Sequence, residues 1–152
     1  MINTSSGEIT IGNTIVGPGH SKEDFLASNL YLDILWSKNE GKFYWYFLNP
    51  QKLGEYFFIV SLYFNEKGII VMIGLGLTKD GSIPEWKDWS LENEMERKKL
   101  QDRWLLKLIG PPHKGNEWYG LYEYEWGTIK SRFNERDGSS IEILYTESEY
   151  DQ

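Results

Sequence analysis

The sequence predicts an α+β fold: an antiparallel meander sheet of about five to seven strands, strongly curved, with a short N-terminal helix (about 21–28), a longer helix (about 91–109) and a C-terminal β-hairpin. Three observations carry this reading. From Tyr31 to Leu77 apolar residues recur with a period of two, interrupted by connections that contain Asn, Gly or Pro. Leu91–Ile109 follows a serine and stops at Gly110-Pro111-Pro112, as a capped helix should. Two alternating runs flank Asn134-Glu135-Arg136-Asp137-Gly138, which is turn chemistry between strands.

Taken in order, Glu8–Val16 alternates apolar and polar before Gly17-Pro18-Gly19 and reads as a short strand and turn. Ser21 is a good N-cap with Asp24 three residues on, and Glu23 and Asp24 suit the positive end of a helix dipole. Phe25 and Leu26 supply a small apolar face. Four candidate strands follow: Tyr31–Ser37, Lys42–Leu48, Glu55–Phe64 and Gly68–Leu77. In the third, Tyr56, Phe58, Val60, Leu62 and Phe64 alternate with Phe57, Ile59, Ser61 and Tyr63, so both faces are apolar. Phe43–Leu48 behaves in the same way. The first half of the long helix is almost wholly charged, with Glu94 and Lys98 spaced as an i,i+4 pair. Its second half, Trp104–Ile109, is apolar nearly all round, so the pattern predicts docking by the C-terminal turns with the N-terminal turns in water. In the last hairpin Ile129 and Phe133 oppose Lys130 and Arg132, and Ile141, Ile143 and Tyr145 oppose Glu142. The chain reads as one domain over 1–152, with 147–152 a frayed acidic tail.

Composition excludes several function classes. Among 152 residues, 16 Lys+Arg stand against 23 Asp+Glu for a net charge of −7, which argues against binding a phosphate backbone. With no cysteine and two histidines, His20 and His113, thiol chemistry and the common metal sites have no ligands; no cofactor is expected. No apolar run approaches the roughly 20 residues of a membrane span, and the first residues lack a signal-peptide pattern. A cytoplasmic protein without enzymatic activity is the expectation. Aromatics reach 16% of the chain, and a two-faced apolar meander has few helices to cover it. Either the sheet curls on itself, or an aromatic patch stays exposed.

Candidate chemistry is sparse. Gly74-Leu75-Gly76-Leu77 lacks the third glycine and the Lys-Ser/Thr ending of a phosphate loop, and reads as small residues where another element crosses the strand. Glu123 and Glu125 share a face on an extended segment, but neighbouring carboxylates on one strand do not bracket a sugar ring. Loop and loop-edge rings alternating with acids form the candidate partner-binding set: Glu85, Trp86, Asp88, Glu117, Trp118, Tyr119, Tyr122, Glu123 and Glu125. Aromatic anchors with carboxylates to steer encounter suit a cationic protein.

The segment Trp126-Gly127-Thr128-Ile129-Lys130-Ser131-Arg132-Phe133, followed by Asn134–Ser140 and Ile141-Glu142-Ile143-Leu144-Tyr145, resembles the closing hairpin of small bacterial immunity proteins of polymorphic and contact-dependent toxin systems. Asn134 stands where those proteins usually carry Asp. The resemblance implies a cytosolic protein that binds a cognate toxin polypeptide, often a nuclease, and occludes its active region. It transfers no binding residue. The alternative is a small-ligand or carbohydrate-binding module that uses surface Trp and Tyr.

Overall fold

The computed structural model describes residues 1–78, 80–83 and 89–146. The order of elements is β1 (Ile9–Ile11), β2 (Thr14–Val16), α1 (Lys22–Leu26), a 3-10 turn (Asn29–Asp33), β3 (Ile34–Glu40), β4 (Phe43–Leu48), β5 (Gln51–Leu53), β6 (Tyr56–Phe64), β7 (Ile70–Thr78), α2 (Leu91–Ile109), β8 (Lys114–Gly115), β9 (Tyr119–Tyr124), β10 (Gly127–Asn134) and β11 (Gly138–Tyr145). β1 and β2 form a separate hairpin, and the other nine strands make one antiparallel sheet ordered β3-β4-β6-β7-β11-β10-β9-β8, with β5 added to β6. The α+β class, both helices and the closing hairpin are as the sequence predicts. The strand count is higher because Asn49–Gly54 contains β5, and the segment after α2 contributes β8 and β9.

Two meanders, β3 to β7 and β8 to β11, are joined at the β7–β11 pair, where Leu75 faces Ile141 and Ile73 faces Ile143. The sheet stays open, with β3 and β8 at its two ends. The first long strand begins at Ile34, not Tyr31. Ser28 caps a second short helical turn: its side chain accepts from the Leu30 N–H at 3.2 Å and prolongs the helical path by five residues. Ser21 caps α1 by accepting from the Asp24 N–H at 3.0 Å.

One face of the sheet holds the core. Phe58, Val60, Leu62, Phe64, Ile73, Leu75, Ile129, Ile141 and Ile143 are buried there. Three pieces cover them. Phe25 of α1 packs on Tyr46 and Phe64, with ring centroids 5.0 and 5.7 Å away. The N-terminal segment is pinned by Tyr145 Oη donating to the Gly7 carbonyl at 2.8 Å and Trp126 Nε1 donating to that of Thr4 at 2.7 Å. α2 crosses β10 and β11, with Trp104 4.6 Å from Phe58 and its Nε1 donating to the Leu53 carbonyl at 3.1 Å.

The long helix corrects the expectation that its charged half stands in water. Glu94, Lys98 and Gln101 are buried beside Trp104 and Leu105. Glu94 and the Gln101 amide nitrogen meet the backbone and serines of the last hairpin, and Lys98 meets Asp102 on its own helix, which makes their burial tolerable. Gln101 Nε2 donates to Ser131 Oγ at 2.9 Å and to the Ser140 carbonyl at 3.0 Å. Ser131 Oγ donates to Asp102 Oδ1 at 2.5 Å, and Glu94 accepts from the Ser139 N–H at 3.2 Å. The expected Glu94–Lys98 pair does not form: Glu94 takes Arg97, and Lys98 takes Asp102 at 2.5 Å. The apolar end is also less enclosed than its composition suggests, since Leu106 and Leu108 remain exposed.

Two predictions follow from this packing. Gln101→Ala leaves the Ser140 carbonyl and the Ser131 hydroxyl without a donor in the interior, and urea unfolding should show a loss of about 2–4 kcal/mol. His20, whose Nε2 is buried without a partner among the described residues, is held below its ordinary 6.5 by burial, an effect Asp24 partly opposes. The unfolded chain therefore binds the extra proton first. Stability should be intact above that value and fall as pH drops from it toward the lowered folded value; His20→Gln should flatten this part of the stability–pH curve.

Candidate partner-binding face

The period of two that sends Tyr44, Tyr46 and Leu48 into the core sends Phe43, Trp45 and Phe47 to the other side of the sheet, and the same holds for Phe57, Ile59 and Tyr63 on β6. β3 adds Trp36, which lies opposite Phe47. Among the described residues only the turn at 80–83 leans over this face, bringing Gly81 against the Phe57 ring. Trp36 is 47% and Phe43 40% exposed, with Trp45, Phe47, Ile59 and Tyr63 half-buried between them. Of the two outcomes the sequence leaves open, the exposed patch is the one found.

The rings are stacked on each other. Trp36 and Phe47 lie 4.0 Å apart with planes 9° from parallel, and Trp45 follows Phe47 at 5.4 Å and 13°. Tyr63 meets Trp45 edge-on at 4.9 Å and Phe43 face to face at 5.5 Å. Phe47 is stacked between Trp36 and Trp45, while Trp36, on the end strand, has Phe47 on one side and stays exposed.

Beside the rings the sheet is low. Gly74 and Gly76 lie at the centre of β7 with their missing side chains on this face, and a Cβ at Gly76 would meet open space. At Gly74 the Ser61 hydroxyl of β6 lies 2.5 Å from where a Cβ would stand, so that glycine makes room for a neighbouring side chain, and only Gly76 leaves the surface low. Charges on the face are matched only in part: Lys52 and Lys130 have no ion pair among the described residues and lie 6.0 and 5.6 Å from the Phe57 and Tyr119 rings. Arg132 pairs with Glu142 at 2.7 Å and Lys38 with Glu40 at 2.9 Å, while Lys38 also lies 5.1 Å from the Trp45 ring. The face is therefore aromatic and carries no surplus of acids, and the charge of −7 acts at longer range.

The residues singled out from sequence are dispersed. Glu85, Trp86 and Asp88 lie outside the described residues. Glu117 and Trp118 are exposed in the turn before β9, where Trp118 stacks on Phe133 at 5.5 Å. Tyr119 is half-buried beneath Lys130, whose Nζ lies 5.6 Å from the ring. Tyr122 is a core ring: its hydroxyl donates to the Gly110 carbonyl at 2.8 Å, and burial foremost, with Tyr124 and Asp102 adding, pushes its pKa up to about 12. Glu123 is exposed but paired with Lys114 at 2.9 Å, which in turn raises the Lys114 pKa. Glu125 is exposed in the turn after β9, so the two glutamates do not form a paired strand face. The acids and rings of this set do not converge into one site. His113 serves the fold, its Nδ1 accepting from the Glu123 N–H at 2.8 Å.

Among the described residues no three His, Asp or Glu side chains are grouped to hold a metal ion, and no helix is long and apolar enough to cross a membrane. The chain matches no protein-family model, no curated protein and no solved structure.

The outward rings contribute little to folding if this face is a surface. Trp36→Ala should cost about 1 kcal/mol, the worth of one exposed stacked pair, whereas Phe58→Ala in the core should cost about 3–5 kcal/mol in the same denaturation assay.

Proposed function

We propose that this chain is a non-catalytic, cytoplasmic immunity-type protein that binds a basic toxin polypeptide with the outward face of its sheet and neutralises it by covering its active region. The observation that carries the reading is the cluster Trp36, Phe43, Trp45, Phe47 and Tyr63, left open by the described residues on a sheet whose other face holds the core. Contiguous aromatic surface of this kind is uncommon on proteins that work alone, and large rings are the residues most often found as energetic anchors of interfaces. A basic partner fits the charge of the whole chain: the surplus of acids lies off this face, and it attracts a cation and speeds its approach. The closing hairpin, Trp126–Tyr145, and its resemblance to immunity proteins point to a toxin as that partner.

The stacking geometry favours a protein over a sugar. A carbohydrate packs flat on an exposed ring face, and here Phe47 and Trp45 are stacked on one another and Phe47 also on Trp36.

The test is co-expression with the toxin encoded by the adjacent reading frame. The wild-type chain should restore growth, and Trp36→Ala/Phe43→Ala should weaken toxin binding about 100-fold while leaving the circular dichroism spectrum intact. Full protection by that double variant would remove the outward face from the account. Failure of the wild-type chain to bind the toxin would remove the function itself.

A further inference from the structure

β3 is an end strand of the sheet, and no described strand pairs with its outer edge. The opposite end is blunted, because β8 is only two residues long and both are exposed. β3 runs for seven residues, long enough to take another strand, and exposed apolar side chains crowd its start. Tyr31, Leu32, Leu35 and Trp36 are all exposed within six positions, Leu32 at 81%. A lysine on an edge strand usually keeps other strands away. Here Lys38 is drawn back over its own sheet, its Nζ 2.9 Å from Glu40 and 5.1 Å from the Trp45 ring. The bulge lies at the start of the strand, between Ile34 and Trp36, and leaves Trp36–Glu40 regular against β4.

We propose that the β3 edge pairs with the β3 edge of a second copy of this chain, antiparallel about a two-fold axis at Ser37, so that two sheets join into one. A strand paired antiparallel with its own copy is self-complementary, and the register that overlaps all of Ile34–Glu40 is centred on Ser37. That register sets each Trp36 opposite the second copy's Lys38 on the outward face, a cation against the side of the indole that Phe47 leaves free. Moving the axis one residue on, to Lys38, would oppose like charges, and moving it to Asn39 would leave few residues paired. Because β8 offers no strand of matching length, head-to-tail growth is closed off and the assembly stops at two. The outward rings stay on the surface of the joined sheet, so this contact is independent of the proposed toxin face, and its failure leaves that reading untouched.

Sedimentation of the full chain over a concentration series gives the first reading; a pair of short strands is a small interface, so the series should extend to about 1 mM. The mass should rise from 17.9 kDa toward twice that value, and more so in high salt, because each copy carries a charge of −7. Leu35→Asp, outside the ring cluster, should weaken the dimer about tenfold with the circular dichroism spectrum unchanged. The chain has no cysteine, so one introduced thiol reads the register. Ser37→Cys, at an exposed position, should link two chains through a two-carbon bis-maleimide, since opposed Cβ atoms stand about 5 Å apart. Asn39→Cys, on the same side of the strand, should not, its two copies being about 14 Å apart. The proposal is overturned if the mass stays at 17.9 kDa at every concentration, or if Asn39→Cys links as readily as Ser37→Cys. Dimers that form without a link at Ser37 use another surface and also overturn it. So do β3 amides that gain exchange protection only when the toxin is added, which assigns the edge to that partner.

Discussion

A nine-stranded sheet with one long helix is the constraint from which the rest of this structure follows. The sheet is eight strands wide, about 34 Å across, because β5 pairs beside β4 along β6, whereas a helix of 19 residues is about 28 Å long and about 10 Å wide. α2 cannot cover even one face alone. The N-terminal hairpin, α1 and the 3-10 turn complete the cover on its side, and that exhausts the described helical elements. The second face must then be left open, and its residues must tolerate water. They do so partly by stacking: each of Trp36, Phe47 and Trp45 hides its broad surface against the next.

The cover is held in register by a polar seam as much as by apolar contact. Glu94 and Gln101 would be costly to bury on an apolar strand pair, yet here β10 and β11 offer Ser131, the Ser139 N–H and the Ser140 carbonyl at matching heights. A wholly apolar helix could slide or rotate on the sheet at little cost. A helix with two buried polar side chains bonded to the sheet has one position in which both find their partners.

Much of the fold was legible in the sequence because its signals are local. Ser90 and Gly110 bound α2 where the caps say they should, and alternation in Thr128–Tyr145 placed Ile129, Ile141 and Ile143 inward and Lys130, Arg132 and Glu142 outward. What sequence could not give was which of two apolar sets on β4 and β6 would be covered, since that depends on where α2 and the N-terminal hairpin land. The buried charges of α2 were illegible for a related reason: a charge run reads as a solvated face until hydrogen-bond partners distant in sequence are brought to it. The candidate site suffered most. Rings in loops drew attention, but Tyr122 is core and Glu123 is paired, while Trp36, Phe43 and Trp45 lie on strands that looked like interior. Their signal was the two-faced pattern itself.

The central claim is that one face of this sheet is built to be wet until a partner covers it. Hydroxyl-radical footprinting of the free chain measures this side chain by side chain. The account predicts strong labelling of Trp36 and Phe43, intermediate labelling of Trp45, Phe47 and Tyr63, and almost none of Phe58, Phe64 and Trp104. Labelling of the outward rings as weak as that of Phe58 would show that the face is already covered in the chain alone, and would contradict the account.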